Sequence, residues 1–172
     1  MSDQLITLVT KEGTKITTSH NFKNLSNLIQ NVLEDSGPNE EIPIEYVSED
    51  TLRRILEFAE HHQFIAPAPP KKPIPSRDIS KAIEDQWDVS FIKSFDDNKL
   101  TELILSVNYL DMKSLLDICC ACIAARFKER SVEELREEYH VQEEFTLEVE
   151  QALKAEHPWV LEADYRNNYD KS

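Results

Sequence analysis

Glycine is almost missing from this chain: 172 residues hold two, Gly13 and Gly37. Loops that cradle phosphates, and the fingerprint that binds dinucleotides, need several glycines close together so that backbone can approach the phosphates. Their scarcity excludes nucleotide chemistry of those types. Cysteine is scarce too, and the three present, Cys119, Cys120 and Cys122, crowd into four positions. An odd number in one cluster is no disulfide framework and fits a reducing compartment. No apolar run approaches the ~18 residues of a membrane-spanning helix, and Met1-Ser2-Asp3-Gln4 does not read as the start of a secretory signal. Basic residues are in deficit, 19 against 33 acids, for a net charge of −14. Such a charge repels phosphate backbones and anionic lipid heads, so neither nucleic acid nor a membrane surface is an expected partner.

What is present reads as one domain with an extension. Leu5-Ile6-Thr7-Leu8-Val9, a turn through Lys11-Glu12-Gly13-Thr14, and Lys15-Ile16-Thr17-Thr18 predict a β-hairpin. Leu25, Leu28, Ile29, Val32 and Leu33 mark one face of a helix that ends at Ser36-Gly37-Pro38. Ile42 to Val47 predicts a strand that Pro43 confines to an edge or leaves short. Ser48 then caps a helix bearing Leu52, Ile55, Leu56 and Ala59, up to His61-His62. From Ile65 to Arg77 the chain holds five of its eight prolines. An extended, mobile linker is the expectation there, contributing little burial; a polyproline ligand for another module is the alternative.

Helices follow. Trp87-Asp88 opens a short segment through Phe91 and Ile92. Asp97 is the expected cap for Leu100, Leu103, Ile104 and Val107, and Met112 to Phe127 follows. Ser131-Val132-Glu133-Glu134 fits the capping box, in which the Ser hydroxyl and the Glu carboxylate each take the other's backbone N–H. Thr146 caps a last helix with Val149, Ala152 and Leu153. Strands early and helices late predict an α+β fold with a helical C-terminal extension.

Candidate chemistry is thin. On a helix Cys119 and Cys122 share a face, and tetrahedral zinc would need two more ligands from far away, so small core residues are the expectation over a metal or a reactive thiol. His61-His62 suits a helix C-terminus electrostatically; successive helical positions diverge by about 100°, which argues against one shared ion. No nucleophile–base–orienter set emerges, and neither metal nor cofactor is expected. The stretch from Glu129 to Ser172 is different. It holds 13 acids and 5 bases, with thin apolar stripes at Leu135 and Tyr139, at Val149 and Leu153, and then Trp159. Thin stripes in charged helices either pack on their own domain or complete a core with a partner, ordering as they bind.

One stretch carries a resemblance. Glu102-Leu103-Ile104-Leu105-Ser106-Val107-Asn108-Tyr109-Leu110-Asp111-Met112-Lys113-Ser114-Leu115-Leu116-Asp117 closely resembles the signature of the Skp family, the S-phase kinase-associated adaptors of SCF ubiquitin ligases. Glu133 to Tyr139, Phe145-Thr146, Glu156-His157-Pro158-Trp159 and Trp87-Asp88-Val89-Ser90-Phe91-Ile92 are similar to further elements of that family, and the likeness covers about residues 4 to 161. It implies a BTB/POZ fold with a helical F-box-binding extension: a first part over 1–64, a Pro-rich linker over 65–86, a helical second part over 87–128, and the extension over 129–172. The related elongin C subfamily lacks such an extension, so the match from Ser131 to Trp159 favours the Skp type.

The implied role is a non-catalytic adaptor, cytoplasmic and nuclear, that bridges a cullin to F-box proteins. A Skp-like module outside any cullin ligase, including a weak homodimer when no F-box protein is bound, is the alternative. By resemblance Asn108 and Tyr109 face the cullin. Leu116, Ile123, Leu135, Tyr139, Val141, Phe145, Leu153 and Trp159 face the F-box, where Leu116 and Ile123 can also serve the core. Four departures from the family pattern, Thr101 for an aromatic residue, Glu129 for a glycine, Val132 for a proline, and Pro158 before Trp159, imply a divergent paralogue with an altered F-box partner set. With Glu129 in place of glycine, the two helices around it are expected to run together.

Overall fold

The computed structural model of the chain describes residues 4–36, 41–128, 130–141 and 146–157. The expected hairpin forms. Strand β1 (Leu5–Val9) pairs antiparallel with β2 (Lys15–Ser19), Leu8 opposite Ile16. Alternation buries Ile6 and Leu8 from one strand and Ile16 and Thr18 from the other. Gly13 sits in the turn at φ +82°, a left-handed conformation that glycine adopts without a Cβ penalty. Strand β3 (Glu41–Pro43) joins parallel to β1, giving the order β2-β1-β3. The predicted strand over 42–47 is thus cut short on an edge. Ile44 still donates to the Val9 carbonyl at 2.8 Å, but the chain then turns, with Val47 donating to the Ile44 carbonyl.

Helix α1 (Asn27–Ser36) begins after a 3-10 turn over His20–Asn24, which takes Leu25 out of the helix that the apolar pattern suggested. Ser48 caps α2 (Glu49–His61) by accepting from Thr51 N, and Asp85 caps α3 (Gln86–Lys93) by accepting from Trp87 N. Helix α4 (Asp97–Tyr109) is capped by Asp96, not Asp97: the Asp96 carboxylate accepts from Lys99 N at 2.8 Å. Asp97 lies in the first turn, where acids favour the helix dipole, and pairs with Arg126. Helix α5 (Lys113–Phe127) follows after the short turn at Leu110–Met112.

Leu52, Ile55, Phe58, Leu100, Leu103, Leu110 and Leu115 form the centre of the core with Ile6, Leu8, Phe22 and Ile29. The stretch expected as linker divides in two. Ile79, Ala82 and Ile83 are core residues, around a 3-10 turn at Ile79–Lys81. Upstream, Pro70 is buried, Lys71 N donates to the Ala82 carbonyl at 2.8 Å, and Ile74 packs half-buried on the core. Proline-rich backbone has few N–H groups to satisfy, so it can lie against an apolar surface at little polar cost.

The fold separates into two units after Arg130. Glu129 lies outside the described residues, but the helices around it do not run together. Lys128 is extended at φ −64°, ψ 138°, and α6 (Val132–Glu138) starts afresh from a complete Ser131/Glu134 capping box. Helix α7 (Leu147–Glu156) is capped by Thr146 as expected.

Ser26 is fully buried and ties α1 to the turn between α4 and α5: its hydroxyl donates to the Leu110 carbonyl at 2.6 Å and accepts from Ile29 N. Ser26→Ala strips both partners inside the core. It should lower unfolding free energy by about 1–3 kcal/mol, read as a fall in urea midpoint at constant m-value.

Candidate partner interfaces

Helix α4 turns one face to the core and another outward. Leu100, Leu103 and Val107 are buried, whereas Thr101, Leu105 and Asn108 are exposed. At about 100° per residue, Leu105 falls off the buried face, and Asn108 and Tyr109 stand three and four positions on, beside it. Leu105 is 65% exposed. Tyr109 is half-buried because Tyr46, from the turn after β3, lies against it with ring centroids 5.1 Å apart in an edge-on arrangement. Tyr46 itself is 73% exposed. Partial burial, then the nearby Glu45 carboxylate, raise the Tyr109 phenol above its ordinary range, so it stays neutral and can donate a hydrogen bond.

The cluster is thus wider than the Asn108-Tyr109 pair expected from sequence. Leu105 could have been found by its misfit to the buried face. Tyr46 could not, since its place beside Tyr109 depends on a turn 63 positions away in the chain.

A polar cluster joins neighbouring elements. The Ser48 hydroxyl donates to Glu102 Oε1 at 2.6 Å, which holds the Glu102 carboxyl below its usual range, and Lys11 lies 3.7 Å from the same oxygen. The hairpin turn, the start of α2 and the middle of α4 are thereby joined.

A second candidate face runs along α5. Its sequence, KSLLDICCACIAARF, is apolar nearly all round. Leu115, Ile118, Cys119 and Cys122 are buried in the core. Leu116 and Ile123, seven residues apart on another side, are half-buried, and Phe127, one turn on from Ile123, is 40% exposed. Sequence reasoning missed Phe127, which continues the Leu116–Ile123 row. Burial raises the thiols of both Cys119 and Cys122, which suits small core residues rather than nucleophiles. Cys120 is exposed.

In the second unit α6 carries Leu135, half-buried, and Tyr139, partly exposed, with Val141 just beyond. Helix α7 carries Val149 and Leu153 at i, i+4, both partly exposed. Phe145 and Trp159 lie outside the described residues.

The pair at the end of α2 is tied to α3, and His62 is mostly buried. Its Nε2 lies 2.7 Å from Asp88 Oδ1, with side chains 10% and 2% exposed. His61 stacks on Trp87, centroids 3.9 Å apart and planes 8° from parallel, and its Nε2 lies 3.5 Å from Asp85 Oδ2. The two rings stand 4.8 Å apart, nearly perpendicular, and the chain turns away after them through positive φ at Gln63 and Phe64.

Comparison with known proteins gives a consistent result. Residues 4–64 match the tetramerisation domain of the Skp1 family, and residues 113–160 match the same family's dimerisation domain. The chain is 38% identical over 158 residues to the E3 ubiquitin ligase complex SCF subunit sconC of Arthroderma benhamiae, covering 91% of this chain and 95% of that protein. It is 35% identical over 158 residues to the S-phase kinase-associated protein 1 homolog of Tetrahymena thermophila, covering 92% and 95%. Against the sconC subunit of Talaromyces marneffei the identity is 37% over 160 residues, covering 92% and 98%.

The exposure of Leu105 makes a direct test of the α4 geometry. Leu105→Ser should change stability by no more than ~0.5 kcal/mol. Leu103→Ala, two positions away but fully buried, should cost about 2–5 kcal/mol. Thermal or urea denaturation of the two variants separates the faces.

Proposed function

The chain belongs to the Skp1 family, and we propose that it acts as a non-catalytic adaptor bridging a cullin scaffold to F-box proteins in an SCF-type E3 ubiquitin ligase. The observation that carries this reading for the chain itself is the exposed Tyr46–Leu105–Asn108–Tyr109 cluster. Two aromatics and a leucine held on rigid elements offer apolar area at small entropic cost, with an Asn amide and a phenol to fix orientation. That is the composition of an interface anchor. This face is assigned to the cullin. The F-box is assigned to the second row of α5, Leu116 and Ile123, and to the extension's Leu135, Tyr139, Val141, Phe145, Leu153 and Trp159. An adaptor of this kind needs no catalytic residue, metal or cofactor for its bridging role. Three free thiols suit the reducing cytoplasm and nucleus.

Separate faces predict separable losses. Tyr109→Lys places a charge where an aromatic anchor meets its partner. It should weaken cullin binding more than tenfold and leave F-box binding and helicity intact, since such anchors are worth ~2 kcal/mol or more. Purified proteins in a binding titration provide the measurement; cullin affinity within twofold of wild type would show that this face is wrongly assigned. Capture of F-box proteins without cullin by the wild-type chain would favour a role outside cullin ligases.

The reciprocal variant lies on α7. Leu153→Glu should weaken F-box binding at least tenfold while cullin affinity is unchanged. Amide exchange over residues 146–157 should slow when a purified F-box domain is added, because thin stripes order fully only once covered.

A further inference from the structure

We propose that His61, His62 and Asp85 form a binding site for a divalent transition metal, best suited to Zn2+, at the seam between the end of α2 and the start of α3. This site is remote in role from the adaptor reading and does not depend on it.

The three side chains each offer a ligand atom, and those atoms all lie within 4.8 Å of one another. Zinc holds nitrogen and carboxylate oxygen ligands at roughly 2.0–2.1 Å, so neighbouring ligands in a tetrahedron stand about 3.4 Å apart and no two can exceed about 4.2 Å. The His61 Nε2 to Asp85 Oδ2 distance, 3.5 Å, already matches a tetrahedral edge. Bringing all three onto a tetrahedral ion requires the widest pair, at most 4.8 Å apart, to close by up to about 1.4 Å.

Each ligand is also held from behind. Asp85 Oδ1 accepts the backbone N–H of Trp87 at 2.8 Å as the helix cap, while its other oxygen faces His61. The His61 ring lies flat on the Trp87 indole. His62 gives Nε2 to the buried Asp88 carboxylate at 2.7 Å. An imidazole with one nitrogen committed to a carboxylate has a fixed tautomer and a more basic second nitrogen, the arrangement that commonly stands behind a metal-ligating histidine.

There is room for the remaining ligand. His62, Asp85 and Asp88 line a cavity of about 290 Å³ together with Pro67, Ala68, Ile83 and Glu84. Water can fill a fourth position there. Two imidazoles and one carboxylate favour zinc, nickel or copper over magnesium or calcium, which prefer all-oxygen sites. A metal here would fasten α2 to the α3 cap across the proline-rich stretch and, binding only the folded chain, would stabilise it.

The test is calorimetric titration of the full chain with Zn2+ under reducing conditions, beside three variants. His61→Phe keeps a ring on Trp87 but removes the ligand nitrogen. Asp85→Asn keeps a capping side chain but removes the carboxylate. Cys120→Ser removes the exposed thiol, the competing zinc ligand. The expected result is one equivalent bound, with affinity at least tenfold weaker in His61→Phe and in Asp85→Asn and unchanged in Cys120→Ser. The melting temperature should rise with Zn2+ in wild type and Cys120→Ser only. Binding no tighter than about 1 mM, or wild-type affinity retained in His61→Phe, would overturn the site.

Discussion

Helix α5 sets the terms for the rest of the fold, because it is apolar nearly all round, with only Lys113, Ser114, Asp117 and Arg126 as charged or hydroxyl side chains along it. An amphipathic helix needs cover on one face only; a helix that is apolar nearly all round must be covered on several. Leu115, Ile118, Cys119 and Cys122 are covered by the core. Helices α3 and α4 both pack on α5, and the 3-10 turn at Ile79–Lys81 packs there too. Leu116, Ile123 and Phe127 remain only partly covered. Cysteine and alanine along it are small enough to pack closely against the neighbouring helices.

A second constraint operates across the proline-rich stretch. Helices α2 and α3 are separated by residues 62–85, yet their ends are clasped by a run of rings. His61 lies on Trp87, Trp87 on Phe91, and Phe91 meets Phe58 and Phe95. Arg54 adds its guanidinium over both Phe91 and Phe95 and donates to the Ser94 hydroxyl. Near the end of this run is a buried polar pair, His62 with Asp88. Desolvation raises the Asp88 carboxyl above its usual range, and the His62 partner opposes that rise. A buried carboxylate without a partner is costly, so this pair fixes which side chains meet at the seam as well as holding them together.

Charge is distributed with similar economy. Acids stand in the first turns of α2, α3, α4 and α6, where backbone N–H groups stabilise them. The Glu133 carboxyl is held below its ordinary range, chiefly by a backbone N–H at that helix start and then by Ser131. Of the net charge of −14, eight units belong to residues 129–172, whereas Leu105, Asn108 and Tyr109 on α4 and Tyr46 from the turn after β3 carry no charge.

Local order could be read from the residues alone. The hairpin, the face of α2, the Ser48 and Thr146 caps and the Ser131 capping box follow from periodicities and side-chain-to-backbone bonds that span a few positions. The specific run from Glu102 to Asp117 carried the family. Where two neighbours competed for one local role, as Asp96 and Asp97 did at the α4 cap, sequence could not choose, because either carboxylate reaches a free N–H.

What only the tertiary structure decided are meetings between distant residues. Ser26 bonds the Leu110 carbonyl, Tyr46 lies on Tyr109, and His62 finds Asp88. Burial of Ile79, Ala82 and Ile83 turned part of an expected linker into core. Each depends on how the intervening loops close. Loop-closure entropy changes slowly with length and says little about which partner is reached, so the choice falls to packing of the whole core.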